Sequence, residues 1–169
     1  MISLICENNA YTIQKYTREI PHKNVFGVDI GTCAGASAIA MATAREDITV
    51  HTCDPLPNPE YKQNLLPHKN IVFYEEASAE FGPKMEFKPD IVFVDGIHDD
   101  KGVEADILNI CSKMREGGFI LFHDYNLYRN TIGKAVDDYE GKVYKKIAIE
   151  KGMIQENGSA ADIYVARKI

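Results

Sequence analysis

The feature that most constrains the fold is a glycine-containing turn between an apolar run and an alanine-rich segment. Residues 25–30 read VFGVDI, Gly31 and Gly35 stand four positions apart, and residues 36–42 read ASAIAMA. This order is typical of a strand, a tight turn and a helix. Glycine lets the backbone approach a ligand closely, and the first turn of a helix offers unpaired N–H groups. We therefore expect a ligand site at this turn.

The residues of the turn favour a cationic ligand over a diphosphate. A dinucleotide-binding turn reads G-x-G-x-x-G and places its glycines around a pyrophosphate. Here the pattern is D-x-G-x-x-x-G-x-S, with Asp29 at the end of the strand and Cys33 in place of the second glycine. A carboxylate repels a diphosphate but suits the amino group or sulfonium of S-adenosylmethionine. The alternative is an ordinary strand-to-helix turn in which Asp29 accepts backbone N–H bonds.

Length and charge indicate one domain that acts on a small molecule. A chain of 169 residues can bury a sizeable core, so we expect a single domain over residues 1–169. The formal charge of −6, without a run of Lys and Arg, argues against a nucleic-acid partner. The four cysteines lack metal-site or disulfide-scaffold spacing, no signal-peptide pattern opens the chain, and the apolar runs are too short to cross a bilayer. We expect a cytoplasmic protein without membrane association.

Hydrophobic periodicity predicts a doubly wound α/β fold. Apolar runs predict seven strands, at residues 25–30, 48–53, 70–74, 90–95, 119–122, 143–149 and 162–166. Amphipathic patterns predict a covering helix within residues 1–21, and helices after Gly35, up to Gly117 and from about residue 130. Residues 55–70 are predicted as a loop with at most a short helix, and only a short connection is expected before Pro83. The last two strands have no helix between them, so an antiparallel hairpin is expected.

A carboxylate follows the second predicted strand. Asp54 stands 23 positions after Gly31, where α/β nucleotide sites place an acidic residue on the ribose hydroxyls. A turn-forming role before Pro55 is the alternative. The turn after the third strand ends at Ser78. The adenine of a nucleotide could lie against this turn.

Two further strands each deliver an aspartate and a histidine to one edge of the sheet. Asp95 and His98 follow the fourth strand, and His123 and Asp124 follow the fifth. Ligands bind at the carboxyl ends of the strands in an open parallel sheet. Each residue also has a structural alternative, because aspartates cap helices and a lone histidine is commonly structural. Together at one edge, they favour a site.

From about Val25 to the C-terminus, these features resemble the class I S-adenosylmethionine-dependent methyltransferases. The D-x-G-x-x-x-G-x-S stretch resembles their first motif, and their seven-stranded Rossmann-like sheet ends in a reversed strand. The resemblance implies this fold, with helices on both faces, and S-adenosylmethionine as the cofactor. The cofactor-binding positions that it implies are Asp29, Gly31, Thr32, Cys33, Gly35, Ser37, Asp54 at the ribose, Ala77 and Ser78 at the adenine, and Asp95.

Within that class, residues 94–98 (VDGIH) and 118–124 (GFILFHD) are similar to metal-dependent O-methyltransferases of the catechol and macrocin types. Those groups also tolerate a non-glycine residue at the position of Cys33. The resemblance implies methyl transfer to a hydroxyl of a small molecule. It also implies Mg²⁺ held by Asp95 and Asp124, with His98 as the general base.

The third metal ligand and the oligomeric state stay open at this point. The catechol type follows its second aspartate with asparagine, where this chain has Tyr125. Either His123 or Asn126 completes the coordination, or the metal is absent. Members of the family often build part of the acceptor pocket from a neighbouring subunit, which admits a homo-oligomer. A binding protein without transfer activity and a nicotinamide-dependent dehydrogenase are the competing functions.

Overall fold

The structure, a computed structural model, describes residues 7–152 and 161–169. Its strands are β1 (Val25–Ile30), β2 (Ile48–Cys53), β3 (Ile71–Tyr74), β4 (Ile91–Val94), β5 (Phe119–Phe122), β6 (Tyr144–Glu150) and β7 (Ile163–Lys168). Its α-helices are α1 (Glu7–Arg18), α2 (Ala36–Ala42), α3 (Tyr61–Leu65), α4 (Ser78–Lys84), α5 (Asp100–Asn109) and α6 (Lys134–Tyr139).

The seven strands form one sheet in the order β3-β2-β1-β4-β5-β7-β6. Strands β1 to β5 pair in parallel, whereas β7 runs antiparallel to both β5 and β6. The predicted mostly parallel sheet with a reversed terminal strand is therefore confirmed, and so is the β6–β7 hairpin. The reversed strand is last in the chain but lies one position inside the edge. The predicted loop of this hairpin falls largely on residues 153–160, outside the described residues.

Helices cover both faces of the sheet, and each face has its own core. Side chains alternate between the faces along the strands: Val92 and Val94 pack in one cluster, and Ile91 and Phe93 pack in the other. Helices α1, α2 and α3 cover the face that contains Phe93, and α4, α5 and α6 cover the opposite face. The central strands are apolar on both sides because both sides are buried.

Three elements differ from the sequence prediction. A helix, α4, occupies the stretch predicted as a short connection, since buried Phe81 anchors it to the core although Pro83 lies inside it. The helix predicted to run to Gly117 ends at Asn109 and is followed by a 3₁₀ turn at Cys111–Lys113. The segment before α6 begins as a π-helical turn, Arg129–Gly133. For α4, tertiary packing outweighs the local pattern.

The N-terminal helix covers the sheet as predicted. Ile13 and Tyr16 of α1 are buried, and the ring of Tyr16 lies 5.1 Å from that of Phe119 in β5. Across the described ranges, every helix is too short or too polar to span a bilayer.

Candidate active site

The turn after β1 is held against the end of β4. Gly31 has a φ of +93°, and a Cβ added to it would lie 2.1 Å from the carbonyl oxygen of Asp95. The Gly31 N–H donates to the Cys53 carbonyl, and the Asp95 N–H donates to that of Ile30. Glycine is required here because a side chain would collide with the neighbouring backbone. The turn thereby brings the ends of β1, β2 and β4 to one point.

Gly35 has a different role from the one that a ligand-facing glycine would have. Its φ is +94° at the start of α2, and an added Cβ would lie 2.6 Å from Leu65 Cδ2 of α3. The absence of a side chain therefore allows α3 to pack against the turn. Gly35 is not among the residues that line the cavity described below.

A buried hydroxyl network lies beneath the turn. Thr52 donates to Asp29 Oδ2 over 2.6 Å, and the Thr32 and Thr52 hydroxyl oxygens are 2.5 Å apart. Because the proton of Thr52 is used on the carboxylate, Thr32 is the donor to Thr52. Burial raises the pKa of Asp29 to about 7, although hydrogen bonds from Thr52 and Ser37 counteract the rise. These residues support the turn from below.

Asp54 follows β2 and faces the turn, as predicted. Its Oδ2 accepts the N–H of Cys33 over 2.9 Å, and its Oδ1 accepts the N–H of Leu56 over 2.9 Å. The first bond fixes Cys33, whose φ is +44°, an unusual value for a residue with a side chain. Each carboxylate oxygen has a second lone pair, so both can still accept hydrogen bonds from a ligand.

A cavity of about 510 Å³ opens above these strand ends. It has the size of a small-molecule site. Of the predicted site residues, it brings together Gly31, Cys33, Asp54, Ala77, Ser78, Asp95, His98, His123 and Asp124. The predicted residues outside its lining are Asp29, Thr32, Gly35 and Ser37.

At one end of the cavity, two aspartates and two histidines converge. Asp95 Oδ1 is 3.2 Å from His98 Nε2 and 3.1 Å from His123 Nδ1. Asp124 Oδ2 is 3.9 Å from His98 Nε2. The parallel pairing of β4 with β5 places these groups side by side. This is the juxtaposition expected from the sequence.

Charge stabilises this cluster. Burial raises the pKa of Asp95, but hydrogen bonds from His123 and His98 outweigh that effect and hold it below its ordinary value. The hydrogen bond with Asp95 raises the pKa of His98. Burial lowers the pKa of His123, but the carboxylates of Asp124 and Asp95 outweigh burial and raise it to about 10.

The cluster contains a group of ligand atoms suited to a divalent cation. One ligand atom each from Asp95, His98 and Asp124 lies within 4.8 Å of the other two. Asp124 has a φ of +57°, and its buried Oδ1 makes no hydrogen bond among the described residues, although His123 Nδ1 lies 3.5 Å from it. A buried carboxylate oxygen without a partner is costly, and a cation would satisfy it. The residues present therefore fit a metal ion.

The third member of that group is His98 rather than His123 or Asn126. His123 is turned so that its Nε2 lies 2.6 Å from Asn9 Nδ2 of α1, while Nδ1 faces the carboxylates. Asn126 donates its amide to Asp162 over 2.6 Å. Neither belongs to the three-residue group described above. His123 hydrogen-bonds Asp95, and its Nδ1 lies 3.5 Å from Asp124 Oδ1.

Three contributors to the site were not predicted from the sequence. Asn9 contacts His123, Asp106 of α5 lines the cavity, and the Tyr128 ring lies 4.8 Å from that of His98. Asp106 could have been found from the sequence, because this acidic residue stands beside the apolar positions Val103 and Ile107 on the inner side of its helix. Asn9 and Tyr128 could not have been found in this way, since their partners are far away along the chain.

The sequence and the fold both match known methyltransferases. A family profile described as "Methyltransferase domain" matches residues 28–125. Comparison with curated proteins finds no significant match. Structural neighbours include an rRNA methylase from Streptococcus thermophilus, with a TM-score of 0.77, 13% identity and coverage of 99% of both chains.

Two further neighbours differ in the acceptor that their names imply. A candidate O-methyltransferase from Klebsiella pneumoniae has a TM-score of 0.79 and 14% identity, over 97% of this chain and 81% of that one. The N-methyltransferase NodS from Bradyrhizobium japonicum, in complex with S-adenosyl-l-homocysteine, has a TM-score of 0.72 and 14% identity, over 96% and 87%. At such identities, the likeness concerns the fold.

Proposed function

This chain belongs to the methyltransferase domain family, and from that membership we propose that it transfers a methyl group from S-adenosylmethionine to a hydroxyl of a small molecule, assisted by a divalent cation such as Mg²⁺. One observation carries the proposal: the cavity that borders the β1 turn and Asp54 ends at the cluster of Asp95, His98 and Asp124. A cofactor site and a group able to activate a hydroxyl therefore adjoin.

Different parts of the cavity suit different groups of the cofactor. Gly31 lines the cavity at the turn, and Asp54 offers both oxygens to the two ribose hydroxyls. Ala77 and Ser78 line the part of the cavity that we assign to adenine. The buried Asp29, Thr32 and Ser37 and the packed Gly35 hold the turn in shape. We assign them a supporting role in cofactor binding.

Asp95 and Asp124 would hold the cation through carboxylate oxygens, which are the ligands that Mg²⁺ prefers. A bound cation supplies one thing, a lower pKa for the acceptor hydroxyl. The protein supplies the rest: the carboxylates orient the acceptor oxygen toward the sulfonium, and His123 keeps Asp95 in place by hydrogen bonding.

We assign His98 the role of general base. A general base needs a free lone pair at Nε2, so this role requires that Asp95 bind the cation and no longer accept the proton of His98. The acceptor O–H bond then breaks and its proton passes to Nε2 of His98, while the oxygen attacks the methyl carbon in line with the departing sulfur. A C–O bond forms, the C–S bond breaks, and S-adenosylhomocysteine leaves as a neutral thioether. The side chain of His98 is 36% exposed, which leaves it accessible to an acceptor.

A hydroxyl on a small molecule is favoured by charge. The net charge of −6 and the acidic cluster repel a nucleic-acid backbone. Two carboxylates that hold a hard cation are suited to activating a hydroxyl, which is a weak nucleophile until it loses its proton, whereas a neutral amine is already nucleophilic.

The first test is cofactor binding, measured by isothermal titration calorimetry with S-adenosylhomocysteine and with NAD. We expect the protein to bind S-adenosylhomocysteine and not NAD. Asp54→Asn should weaken binding about thirtyfold, because one charge-assisted contact with the ribose is lost. Asp138→Asn, a change on the exposed face of α6, is the matched control and should leave the affinity unchanged. Equal affinities in the wild-type and Asp54→Asn proteins would contradict the assignment.

A further inference from the structure

The two edges of the sheet differ in how they are protected. Strands β3 and β6 lie at the edges of the described sheet. Strand β6 has exposed Lys145 and Lys146 and a register shift between Lys146 and Ala148. Charges and bulges of this kind prevent an edge from pairing with another chain. Strand β3 reads IVFY, without a charged residue, and its Val72 is 39% exposed. The edge at β3 is therefore open to a further strand.

The outer side of β3 has backbone groups that no neighbouring strand uses. The carbonyls of Asn70 and Tyr74 accept N–H groups of β2 and of the residue that follows it. Backbone groups of successive strand residues point to opposite sides, so Asn70, Val72 and Tyr74 face β2, whereas Ile71 and Phe73 face outward. Across residues 7–152 and 161–169, no strand pairs with this outer side. The Ile71 carbonyl and both backbone groups of Phe73 are left for a strand from outside.

We propose that a second copy of this chain occupies the edge, through antiparallel pairing of β3 with β3 about a two-fold axis at Val72. In this arrangement Ile71 of each copy forms a hydrogen-bonded pair with Phe73 of the other, and the two Val72 side chains meet at the axis. The sheets of the two copies then form one continuous sheet. A two-fold interface uses the same surface on both copies, so that surface must be complementary to itself.

Charge provides this self-complementarity and selects the register. Lys69 and Glu75 flank β3, both are exposed, and neither belongs to an ion pair among the described residues. Pairing about Val72 sets Lys69 of each copy opposite Glu75 of the other, and opposite charges at such cross-strand positions attract. The outward-facing residues also permit an axis at Ile71 or at Phe73, but either axis separates the two charges.

Exposed apolar groups at the two ends of β3 complement each other as well. Leu66, which precedes the strand, is 82% exposed. At the other end, Glu75 borders an open groove that Leu56, Pro57 and Tyr61 also line. Antiparallel pairing brings the beginning of one β3 to the end of the other, so each Leu66 lies at the end where the other copy has its groove. Apolar surface at both ends favours association in this orientation.

Sedimentation equilibrium of the full chain tests the dimer. The wild-type protein should have twice the 18.9 kDa mass of one chain. Val72→Lys should raise the dimer dissociation constant at least about tenfold, because it sets two like charges against each other at the axis. Ile147→Lys, at a 46% exposed position of the other edge strand, is the matched control and should leave the constant unchanged. A monomeric wild-type protein, or a Val72→Lys protein that dimerises like the wild type, overturns the inference.

Charge reversal tests the register, and it decides alone if Val72→Lys does not fold. Lys69→Glu and Glu75→Lys should each raise the dissociation constant about fivefold or more, since each turns both symmetric attractions into repulsions. The double variant, and an equimolar mixture of the two single variants, should return to near the wild-type value. Single variants that dimerise like the wild type, or a double variant no tighter than either single one, overturn the pairing about Val72. These masses are independent of methyl transfer, so the dimer and the proposed function fail separately.

Discussion

At the residue scale, His98 combines two kinds of contact. Its Nε2 hydrogen-bonds Asp95 and faces Asp124, while its ring lies against Tyr128. The hydroxyl of Thr131 donates to the His98 carbonyl over 3.0 Å, which ties the loop to the segment before α6. Once it no longer donates to Asp95, the same nitrogen can accept a proton from a substrate or serve as a metal ligand, and the two roles predict different effects of removing the ring.

If His98 is the general base, His98→Ala should lower kcat about a hundredfold on a hydroxylated test acceptor such as catechol. The affinity for Mn²⁺, followed by electron paramagnetic resonance, should change by less than about threefold, because the two carboxylates supply most of the binding. His68→Ala, outside the cavity, is the control and should match the wild-type protein.

A His98→Ala protein that loses Mn²⁺ affinity together with turnover would identify the ring as a ligand. Asp124→Asn should lose Mn²⁺ affinity in either case, since it removes the charge from the carboxylate whose Oδ1 lacks a partner. Unchanged Mn²⁺ binding in that variant would remove the metal from the proposal.

At the element scale, the β1–α2 connection is organised by backbone conformation. Gly31 and Gly35 both have a positive φ, and Cys33 between them does too. Such a conformation costs a residue with a side chain about 1–2 kcal/mol. The connection is held nonetheless, because hydrogen bonds from neighbouring strands and from Asp54 fix each of its turns.

Gly31→Ala should reduce the free energy of unfolding by about 3 kcal/mol or more, because backbone strain adds to a collision with the Asp95 carbonyl. Gly117→Ala is a matched control: its φ is +79°, but nothing lies within 4 Å of an added Cβ. It should lose only the strain, about 1–2 kcal/mol. Urea unfolding of the three proteins measures the difference. Equal losses would show that the contact with β4 is relaxed at little cost.

At the scale of the whole molecule, the site has acidic side chains at positions where burial disfavours their charged form. The sheet is covered on both sides, yet Asp29, Asp106 and Asp124 are buried at or below its carboxyl edge, where water is largely excluded. Burial of Asp29 raises its pKa from 3.8 to about 7. Between about pH 4 and pH 7, the folded protein therefore keeps a proton on this carboxyl group that the unfolded chain has already released.

Because the folded state binds the extra proton, the contribution of Asp29 to stability is greatest at low pH and is lost as the pH rises through that window. Asp29→Asn carries no such charge, so its stability relative to wild type should rise by on the order of 3 kcal/mol between pH 4.5 and 7.5. Urea unfolding at the two pH values measures it. Asp138→Asn, whose carboxyl has a pKa lowered by Lys134, should show no such change. A flat difference for Asp29→Asn would mean that the carboxyl is hydrated.

Much of the fold followed from the sequence because its strands are short apolar runs with sharp boundaries. The bounds predicted for β2 and β5 are those observed. The hairpin followed from the lack of a helical pattern between two strands. The meeting of Asp54, Asp95 and Asp124 at one edge followed from the geometry of parallel strands, in which every carboxyl end points the same way.

The tertiary structure alone decided which side chains touch. His123 and Asn9 meet across 114 positions, and Ser78 and Asp106 meet across 28. Gly35 leaves room for Leu65 of α3. Periodicity records which face of an element is buried, because burial acts on every residue of that face. It carries no information on which partner a single polar group finds, since that depends on how distant elements pack.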